Sequence, residues 1–406
     1  MRKPNLLLEW LVWGLMCGAS TAWADQDDAA MPHDSWSLVG GVGLSQDDNL
    51  FKANAGNAVS DQIRSATFGV KIDKQYSLQR FTVDATVTDY RYRDNSYLDY
   101  TGKNLNAAWA WSLTPTLYGN LSTTRSDALN NFVDYVAATP SLRRNIRTTK
   151  SSRFDVEWEA FGPLHLLSAV SHYDQSNSQT FIQDDNYSAR AGELGVKYVT
   201  SKRNYVALVR RQTQGDYSRD ANAATQLDSG FEQTENEVRY LWMPTVKTSV
   251  FGRVARLDRR YDNFSSRDYD GYVGSVDVNW GITEKLGLLL SLRRDLNAYQ
   301  DSRNATTSYS SFYSGNVYNI APVWEISAKT KLSLRLGGER RSYDGTVVNG
   351  VPLRSDTLRY RGIGLEWTPR RSVDVNLAYL RQTRDSNNDS LDFTDNLYSL
   401  SVLLNF

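Results

Sequence analysis

Apolar and polar residues alternate along most of this chain in short runs, and the runs come in pairs joined by brief turns. The segment 276–292 is typical: apolar residues hold alternate positions up to Trp280, and the alternation resumes from Leu286 to Leu292 after a turn. A period of two places successive side chains on opposite faces of a β-strand. The pattern therefore predicts β-hairpins with one apolar and one polar face, and no sustained helical period competes with it.

These hairpins can be counted from one end of the chain to the other. About eight tight pairs, a first strand near 38–44 and a terminal strand at 398–406 give about eighteen strands, with about sixteen as the lower bound. Long polar segments separate the pairs, at 45–60, 91–102, 125–146, 173–187, 212–232, 258–269, 294–312, 340–356 and 382–392. Pro322 falls inside a predicted strand and has no N–H to donate, so we expect a β-bulge there.

Tryptophan marks one end of the predicted strands. Trp36 stands at the start of the first strand, and seven more close alternating runs just before the short turns: Trp109, Trp111, Trp158, Trp242, Trp280, Trp324 and Trp367. These seven have the same parity as the apolar residues of their runs: they fall on the same alternate positions and therefore face the same side of the strand. Indole combines an apolar body with one N–H donor, which suits the boundary between hydrocarbon and water. The row predicts an aromatic girdle at a membrane interface. The alternative is a set of core tryptophans in a soluble β-protein.

The first residues have the composition of a secretory signal peptide. A positively charged start precedes an apolar stretch, and Ala22-Trp23-Ala24 offers small residues at the positions that a signal peptidase requires. We therefore expect a signal peptide at 1–24, a short periplasmic lead at 25–35 and a single barrel domain at 36–406. Cys17, the one cysteine, lies in the predicted signal peptide, so the mature chain is expected to lack disulfides and thiol chemistry.

Alternation continues to the last residue of the sequence. Apolar residues hold the even positions from Tyr398 to Phe406, with Ser399, Ser401 and Asn405 among the residues between them. This ending resembles the C-terminal strand of Gram-negative outer-membrane proteins, whose terminal aromatic residue is recognised by the barrel-assembly machinery. The resemblance implies that Phe406 is an assembly signal and that this machinery is a partner.

The composition is consistent with lipid on one face of the strands and water on the other. The mean hydropathy is −0.52, and beyond the signal peptide no apolar run is long enough to form a spanning helix. A closed barrel reconciles export with this polar composition, because closure pairs every backbone group and leaves no edge in the bilayer. We therefore predict an all-β fold: a closed antiparallel transmembrane β-barrel in the outer membrane, with short periplasmic turns and long extracellular loops.

Charge and motif content argue against several function classes. The 46 basic residues balance the 46 acidic ones, so nothing points to nucleic acid, and outer-membrane lipid with lipopolysaccharide is the expected surrounding. Only three histidines occur, and His165 and His172 fall on opposite faces of one predicted strand, which does not build a metal site. The cluster Asp47-Asp48-Asn49 could bind calcium, although a solvated loop is the more ordinary interpretation. No enzyme motif is present, so we expect no catalytic activity, cofactor or metal.

The polar side chains at the other alternate positions of the predicted strands face the inside of the barrel, which is where a transport function would reside. The candidate pore-lining residues are Arg239, Arg253, Arg293, Arg335, Lys197, Asp277 and Glu325. Mixed charge suits a water-filled lumen and a hydroxylated solute. A guanidinium can fork onto a carboxylate or a phosphate, which suits an acidic sugar but equally suits a salt-bridged wall.

One segment resembles a known family. Residues 39–51 read Val-Gly-Gly-Val-Gly-Leu-Ser-Gln-Asp-Asp-Asn-Leu-Phe, similar to the opening of a family of β-barrel porins that includes EpsL-type proteins found with exopolysaccharide-biosynthesis genes. Chain length, signal peptide, the Trp-bearing hairpins and Phe406 also match. The resemblance implies a pore taking part in exopolysaccharide export, with polysaccharide and periplasmic export proteins as partners, and supplies no ligand residues. A general diffusion porin and a non-conducting structural or adhesive barrel that displays surface loops stay open as alternatives.

Overall fold

The computed structural model describes residues 35–129, 132, 143–179, 186–221, 228–298, 309–346 and 352–406. The predicted signal peptide and all but the last residue of the predicted lead lie outside these ranges. Short 3₁₀ segments occur at Ala55–Asn57, Ser96–Leu98, Ser265–Arg267 and Asp389–Leu391. No helix in the described ranges is long and apolar enough to cross a membrane.

Eighteen strands form one sheet in the described part of the chain. In chain order they are β1 Ser35–Asp47, β2 Asp61–Tyr76, β3 Gln79–Tyr92, β4 Tyr100–Thr114, β5 Leu117–Leu129, β6 Ile146–Phe161, β7 Leu164–Asn177, β8 Tyr187–Val199, β9 Tyr205–Tyr217, β10 Gly230–Thr245, β11 Thr248–Tyr261, β12 Tyr269–Gly281, β13 Leu286–Ala298, β14 Tyr309–Ser327, β15 Thr330–Thr346, β16 Ser355–Arg370, β17 Val373–Ser386 and β18 Phe393–Asn405. Each strand pairs antiparallel with the next, and β1 also pairs with β18. The sheet is a closed antiparallel barrel, which confirms the predicted fold class and strand count.

The two ends of the sheet meet in a continuous seam between β1 and β18. The register runs from Val39 opposite Asn405 to Asp47 opposite Leu397. Phe406 extends it by one step, because its N–H donates to the carbonyl of Leu38 at 2.9 Å and its own carbonyl accepts from the Leu38 N–H at 3.0 Å. Closure leaves no unpaired strand edge.

The segment that follows β1 fastens this seam at its other end. Asp48 accepts hydrogen bonds from the backbone N–H and the side-chain amide of Asn396, at 2.6 and 2.7 Å. The Asn49 amide donates to the carbonyl of Thr394 at 2.9 Å, and Asn49 is 1% exposed. The Asp-Asp-Asn sequence after the first strand therefore has a structural role in closing the barrel.

The outer face of the barrel is apolar and exposed, whereas the inner face is polar and largely buried. On β8 and β9, Leu194 and Leu208 are 70% and 63% exposed, while Glu193 and Ala207 beside them are 6% and 1% exposed. This arrangement is the reverse of a soluble protein and follows directly from the period of two.

The eight tryptophans of the described residues lie at the end of the barrel where the short turns are, as the sequence predicted; their role at a membrane interface stays a prediction. Trp109 is partly exposed on the outer face and donates its indole N–H to Gln79 Oε1 at 2.8 Å. Trp111 differs, because its ring covers Gly119 and stacks on Phe154 with the ring centroids 5.6 Å apart. It is only 7% exposed although it belongs to the outer face.

The bulge expected at Pro322 is absent, so this prediction was wrong. Pro322 lies opposite Leu288 in an unbroken register with β13, and on the β15 side the pairing is merely interrupted between Ile320 and Val323, with no shift. A missing N–H donor removes a ladder hydrogen bond without inserting a residue. The bulges of β14 instead lie near its two ends, between Ser310 and Phe312 and between Glu325 and Ser327.

Three of the long polar segments are shorter than predicted and share one design. Each has a 3₁₀ turn followed by an aspartate whose carboxylate accepts the backbone N–H of the last residue of the preceding strand. The pairs are Asp99 with Tyr92 at 2.8 Å, Asp268 with Tyr261 at 2.9 Å and Asp392 with Ser386 at 2.7 Å. We call these loops, 93–99, 262–268 and 387–392, the aspartate-capped loops. They give the long-loop end of the barrel defined local structure.

Candidate functional site in the barrel lumen

The inner face of the barrel carries the candidate site. All seven predicted pore-lining residues lie on it, since each has the parity opposite to the exposed apolar side chains: Arg239, Arg253, Arg293, Arg335, Lys197, Asp277 and Glu325. Their role in transport stays a prediction. The structure brings some of them into one network and leaves others apart.

Glu193 on β8 is the centre of the largest ion-pair network. Arg153 on β6 donates two hydrogen bonds to its carboxylate, at 2.8 and 2.9 Å. Arg239 on β10 donates to the same carboxylate at 3.1 Å, and Arg211 on β9 lies 3.4 Å from it. One buried carboxylate thus faces three guanidinium groups through charge-assisted contacts.

The network continues onto β10 and β11. Arg239 pairs with Glu237 on its own strand. Arg253 on β11 lies 2.7 Å from Glu235 and 3.2 Å from Glu237. Arg153 also lies 3.5 Å from Asp155 on its own strand. We call the connected set the central network: Arg153, Asp155, Glu193, Arg211, Glu235, Glu237, Arg239 and Arg253. It contains two of the seven predicted residues, Arg239 and Arg253. It extends from β6 to β11 because the odd-numbered residues of these strands all face the lumen.

Lys197 belongs to a second cluster, nearer the short turns, whose centre is Glu157 on β6. The Lys197 ammonium lies 2.8 and 2.9 Å from the two carboxylate oxygens. His165 Nδ1 lies 2.5 Å from Oε1, and the Tyr118 hydroxyl donates to the same oxygen at 3.1 Å. The carboxylate is therefore held by a lysine, a histidine and a tyrosine, and His165 Nδ1 is occupied by this contact within the wall.

The other four predicted residues lie apart from both clusters. Arg293 is 3.5 Å from Asp295 on its own strand. Arg335 contacts only uncharged groups: its Nε donates to Asn319 Oδ1 at 3.4 Å, and its guanidinium lies 6.0 Å from the ring centre of Tyr360. Among the ion pairs of the described residues, none includes Asp277 or Glu325. Their charges are therefore available to water or to a solute in the lumen.

Sequence reasoning missed several inward residues that the structure makes prominent. Arg153, Arg211 and Glu235 have the inward parity, so the alternation itself could have found them. The long-loop end also has an aromatic lining of Tyr187, Tyr217, Phe231 and Tyr261. Arg259 lies 4.4 Å from the centre of the Phe231 ring, and Arg267 lies 4.9 Å from that of Tyr261. Arg267 comes from an aspartate-capped loop, where no periodicity could have predicted its direction.

The cluster that the sequence offered for calcium already contains a cation of the chain. Carboxylate oxygens of Asp47, Asp48 and Asp395 lie within 4.8 Å of one another. The ammonium of Lys52 lies 3.1 Å from Asp47 and 2.7 Å from Asp395, with both carboxylates almost completely buried. Lys52 thus neutralises the pair itself, and the cluster fits a seam contact better than a metal site.

Comparison with known proteins places the fold. The chain resembles the structure of OpdK from Pseudomonas aeruginosa with vanillate, with a TM-score of 0.50, 11% identity, and coverage of 91% of this chain and 99% of that one. It resembles OccK2 (OpdF) from the same organism in complex with glucuronate equally, with a TM-score of 0.50, 11% identity, and coverage of 92% and 98%. The fold is that of the outer-membrane porins. No family model and no curated protein matches the sequence. The similarity to these porins is therefore a similarity of fold alone.

Proposed function

We propose that this barrel is an outer-membrane channel through which small hydrophilic solutes diffuse, with anionic solutes preferred. The observation that carries the proposal is that the two faces of the closed sheet differ in polarity. Exposed leucine, valine and tryptophan cover the outside, and ion-paired charges line the inside. Such a wall fits lipid on the outer face and a polar interior that water can enter. In this proposal the short turns are periplasmic, and the chain arrives by signal-peptide-dependent export and the barrel-assembly machinery.

The proposed preference for anions rests on two inward arginines, Arg293 and Arg335, in a lumen where Asp277 and Glu325 are also outside the ion pairs of the described residues. Arg335 contacts no carboxylate, and Arg293 has its one acidic neighbour at 3.5 Å. An incompletely paired guanidinium can take up a passing carboxylate through two parallel hydrogen bonds. The ligands named for the two similar porins, vanillate and glucuronate, are both carboxylates. We therefore infer that small carboxylates are the solutes most favoured by this lumen.

Planar-bilayer recording of the purified barrel tests the proposal. The wild-type barrel is expected to conduct and to show a reversal potential, in a potassium chloride gradient, on the side of chloride preference. Arg293→Ala/Arg335→Ala should shift that potential toward potassium and weaken the block of current by gluconate. Arg361→Ala/Arg381→Ala removes two arginines from the outer face and should leave both properties unchanged. A folded wild-type barrel without conductance would overturn the channel proposal and favour a structural or adhesive barrel.

Exopolysaccharide export is a second candidate, and its support is the resemblance to the EpsL-type proteins, for which residues 39–51 are the one local motif. The structure gives that segment a different use, because Asp48 and Asn49 bind the backbone of β18 and Asp47 pairs with the neighbouring Lys52. A sequence needed to close the barrel carries no information about the solute. Deletion of the gene followed by measurement of surface polysaccharide separates the two candidates: loss of polymer would favour export over general diffusion.

A further inference from the structure

Charged residues are distributed unevenly over the short turns of the barrel. Three successive turns contain no charged residue: 77–78, 115–116 and 162–163. The other five contain six cations and one carboxylate, that of Glu284; these turns are 200–204, 246–247, 282–285, 328–329 and 371–372. We call the six cations, all of them exposed, the basic arc: Lys202, Arg203, Lys247, Lys285, Lys329 and Arg371. The rim of short turns is therefore uncharged from β2 to β7 and basic from β8 to β17.

Three cations lie close together at one end of the basic arc. The Lys329 ammonium donates to the carbonyl of Pro369 at 2.9 Å, which places it next to the backbone that carries Arg370 and Arg371. Among the ion pairs of the described residues, none includes Lys329, Arg370 or Arg371. We call these three residues the cation cluster. Positive charge at this point of the rim has no carboxylate partner in the described part of the chain.

The first strand of the barrel begins beside this cluster. β1 and β17 flank β18, and Asn405 on β18 donates its backbone N–H to the carbonyl of Ser372 at 3.0 Å. Two strand spacings, about 10 Å, therefore separate β1 from the turn 371–372 across the sheet. On the other side of β1 the nearest turn is 77–78, and the cations that flank it, Lys74 and Arg80, both have partners in the chain. β1 thus stands at the boundary between the basic and the uncharged parts of the rim.

The segment that precedes β1 in the sequence is acidic. Residues 25–34, the predicted lead, contain four aspartates and no lysine or arginine, and Asp25, Asp27 and Asp28 stand together at its far end. Cleavage after Ala24 would add one α-amino group, which offsets one of these charges. Ten extended residues span up to about 33 Å, enough to reach the cation cluster. Lys247 lies three hairpins further round the rim, about 40 Å from β1 and beyond that reach.

We propose that the predicted lead docks on the cation cluster through the carboxylates of Asp25, Asp27 and Asp28. Charge complementarity selects the β17 side of β1, because the turn on the β2 side is uncharged. The covalent link to β1 holds the carboxylates near the cluster at a high effective concentration, which a free anionic partner lacks. The inference does not depend on conduction, since it concerns the rim of short turns and not the lumen.

Disulfide formation between paired cysteines tests the docking in the barrel purified in uncharged detergent. Ala29→Cys/Ser372→Cys places the second thiol beside the cation cluster, and Ala29→Cys/Ser77→Cys places it in the uncharged turn; both keep every charge of the chain. Under oxidation at low salt the first pair should close at least about fivefold faster, because docking raises its effective concentration. The difference should disappear at about 1 M salt, where the Debye length is about 3 Å. Peptide mapping by mass spectrometry measures the closed fraction, and equal rates at low salt would overturn the docking.

Charge-neutralising variants of the Ala29→Cys/Ser372→Cys barrel test both sides of the contact. Asp25→Asn/Asp27→Asn/Asp28→Asn removes the carboxylates, and Lys329→Gln/Arg371→Gln removes two cations of the cluster. Each should lower the rate of closure to that of the Ser77 pair, because either change removes the attraction. A rate that stays high after loss of the carboxylates would show that something other than charge positions the lead, and the proposal would fail.

The control variant removes two cations of the same rim that the lead does not reach. Lys202→Gln/Lys247→Gln should leave the rate of closure within about twofold of its starting value, since charges so far apart are screened. Equal loss in both double variants would reduce the effect to the general charge of the rim and overturn a specific contact. A preference seen in uncharged detergent but lost in phosphatidylglycerol vesicles would assign the cation cluster to anionic phospholipid instead of the lead.

Discussion

Arg153 on β6 and Glu193 on β8 are joined by two parallel hydrogen bonds, Nη1 to Oε1 at 2.8 Å and Nη2 to Oε2 at 2.9 Å, across the strand that lies between them. Ala169 on β7 stands directly opposite Glu193 in the register and is 5% exposed. A small residue there lets the guanidinium pass over the middle strand. The contact braces strands that are not neighbours in the sheet.

Replacing Glu193 by glutamine should destabilise the barrel. Arg153, Arg211 and Arg239 would then face each other without their shared carboxylate, and breaking a buried pair from one side costs about 3 kcal/mol. Urea unfolding of the barrel in detergent, followed by tryptophan fluorescence, measures the loss. Glu284→Gln, in the exposed turn after β12, changes the same charge and should leave the unfolding midpoint where it is. Equal midpoints for both variants would contradict the central role of Glu193.

Removing the Lys52 ammonium should weaken the seam. Lys52→Met leaves the Asp47 and Asp395 carboxylates buried together without a cation, so we expect a lower unfolding temperature in detergent. Adding Asp395→Asn to Lys52→Met removes one of the two repelling charges and should restore part of the loss. A double variant no more stable than Lys52→Met would show that the lysine acts through packing rather than charge.

The strand register on β13 predicts opposite effects at two adjacent residues. Leu290→Arg places a charge on the outer face and should cost about 2–4 kcal/mol near the middle of a bilayer. Ser291→Arg places it on the inner face opposite Asp277 and should cost much less. Reversible folding into lipid vesicles measures both. Equal penalties would refute the assigned facing of 286–293.

Three changes at Phe406 separate backbone closure from recognition of the aromatic ring. Deletion removes both hydrogen bonds with Leu38, whereas Phe406→Lys keeps the backbone and loses only the ring. We expect both to lower the yield of assembled barrel in cells, deletion more strongly, and Phe406→Tyr to assemble normally. Heat-modifiable mobility on a gel reports the assembled fraction. Normal assembly of Phe406→Lys would show that the terminal ring is not an assembly signal.

The sequence predicted the barrel well because one physical signal repeats along all of it. Alternation fixes which face each side chain occupies, and the short turns fix which strands are neighbours, so the strand count, the tryptophan row and the inward position of Arg239 could be read directly. The same signal would have found Arg153. Its contact with Glu193 could not be predicted, because it depends on the register across a third strand and on the size of Ala169.

Features without a period gave sequence reasoning no signal to follow. The aspartate-capped loops depend on side-chain to backbone hydrogen bonds, such as Asp99 to Tyr92, which leave no repeating pattern. Pro322 was expected to distort β14, but a missing donor proved compatible with an unbroken register. The resemblance at 39–51 implied polysaccharide export, whereas in the structure Asp48 and Asn49 of this segment bind the backbone of β18.

The pairing of Leu38 with Phe406 has a kinetic consequence. Every other ladder joins segments next to each other in sequence and can zip as soon as its hairpin exists, but this one joins positions separated by nearly the whole domain. Until β18 docks on β1, the sheet has two bare edges that could pair with any passing strand. A chaperone escorting this chain through an aqueous compartment would therefore have to shield the backbone of two strands as well as the apolar side chains, and it would have to release both at the same moment.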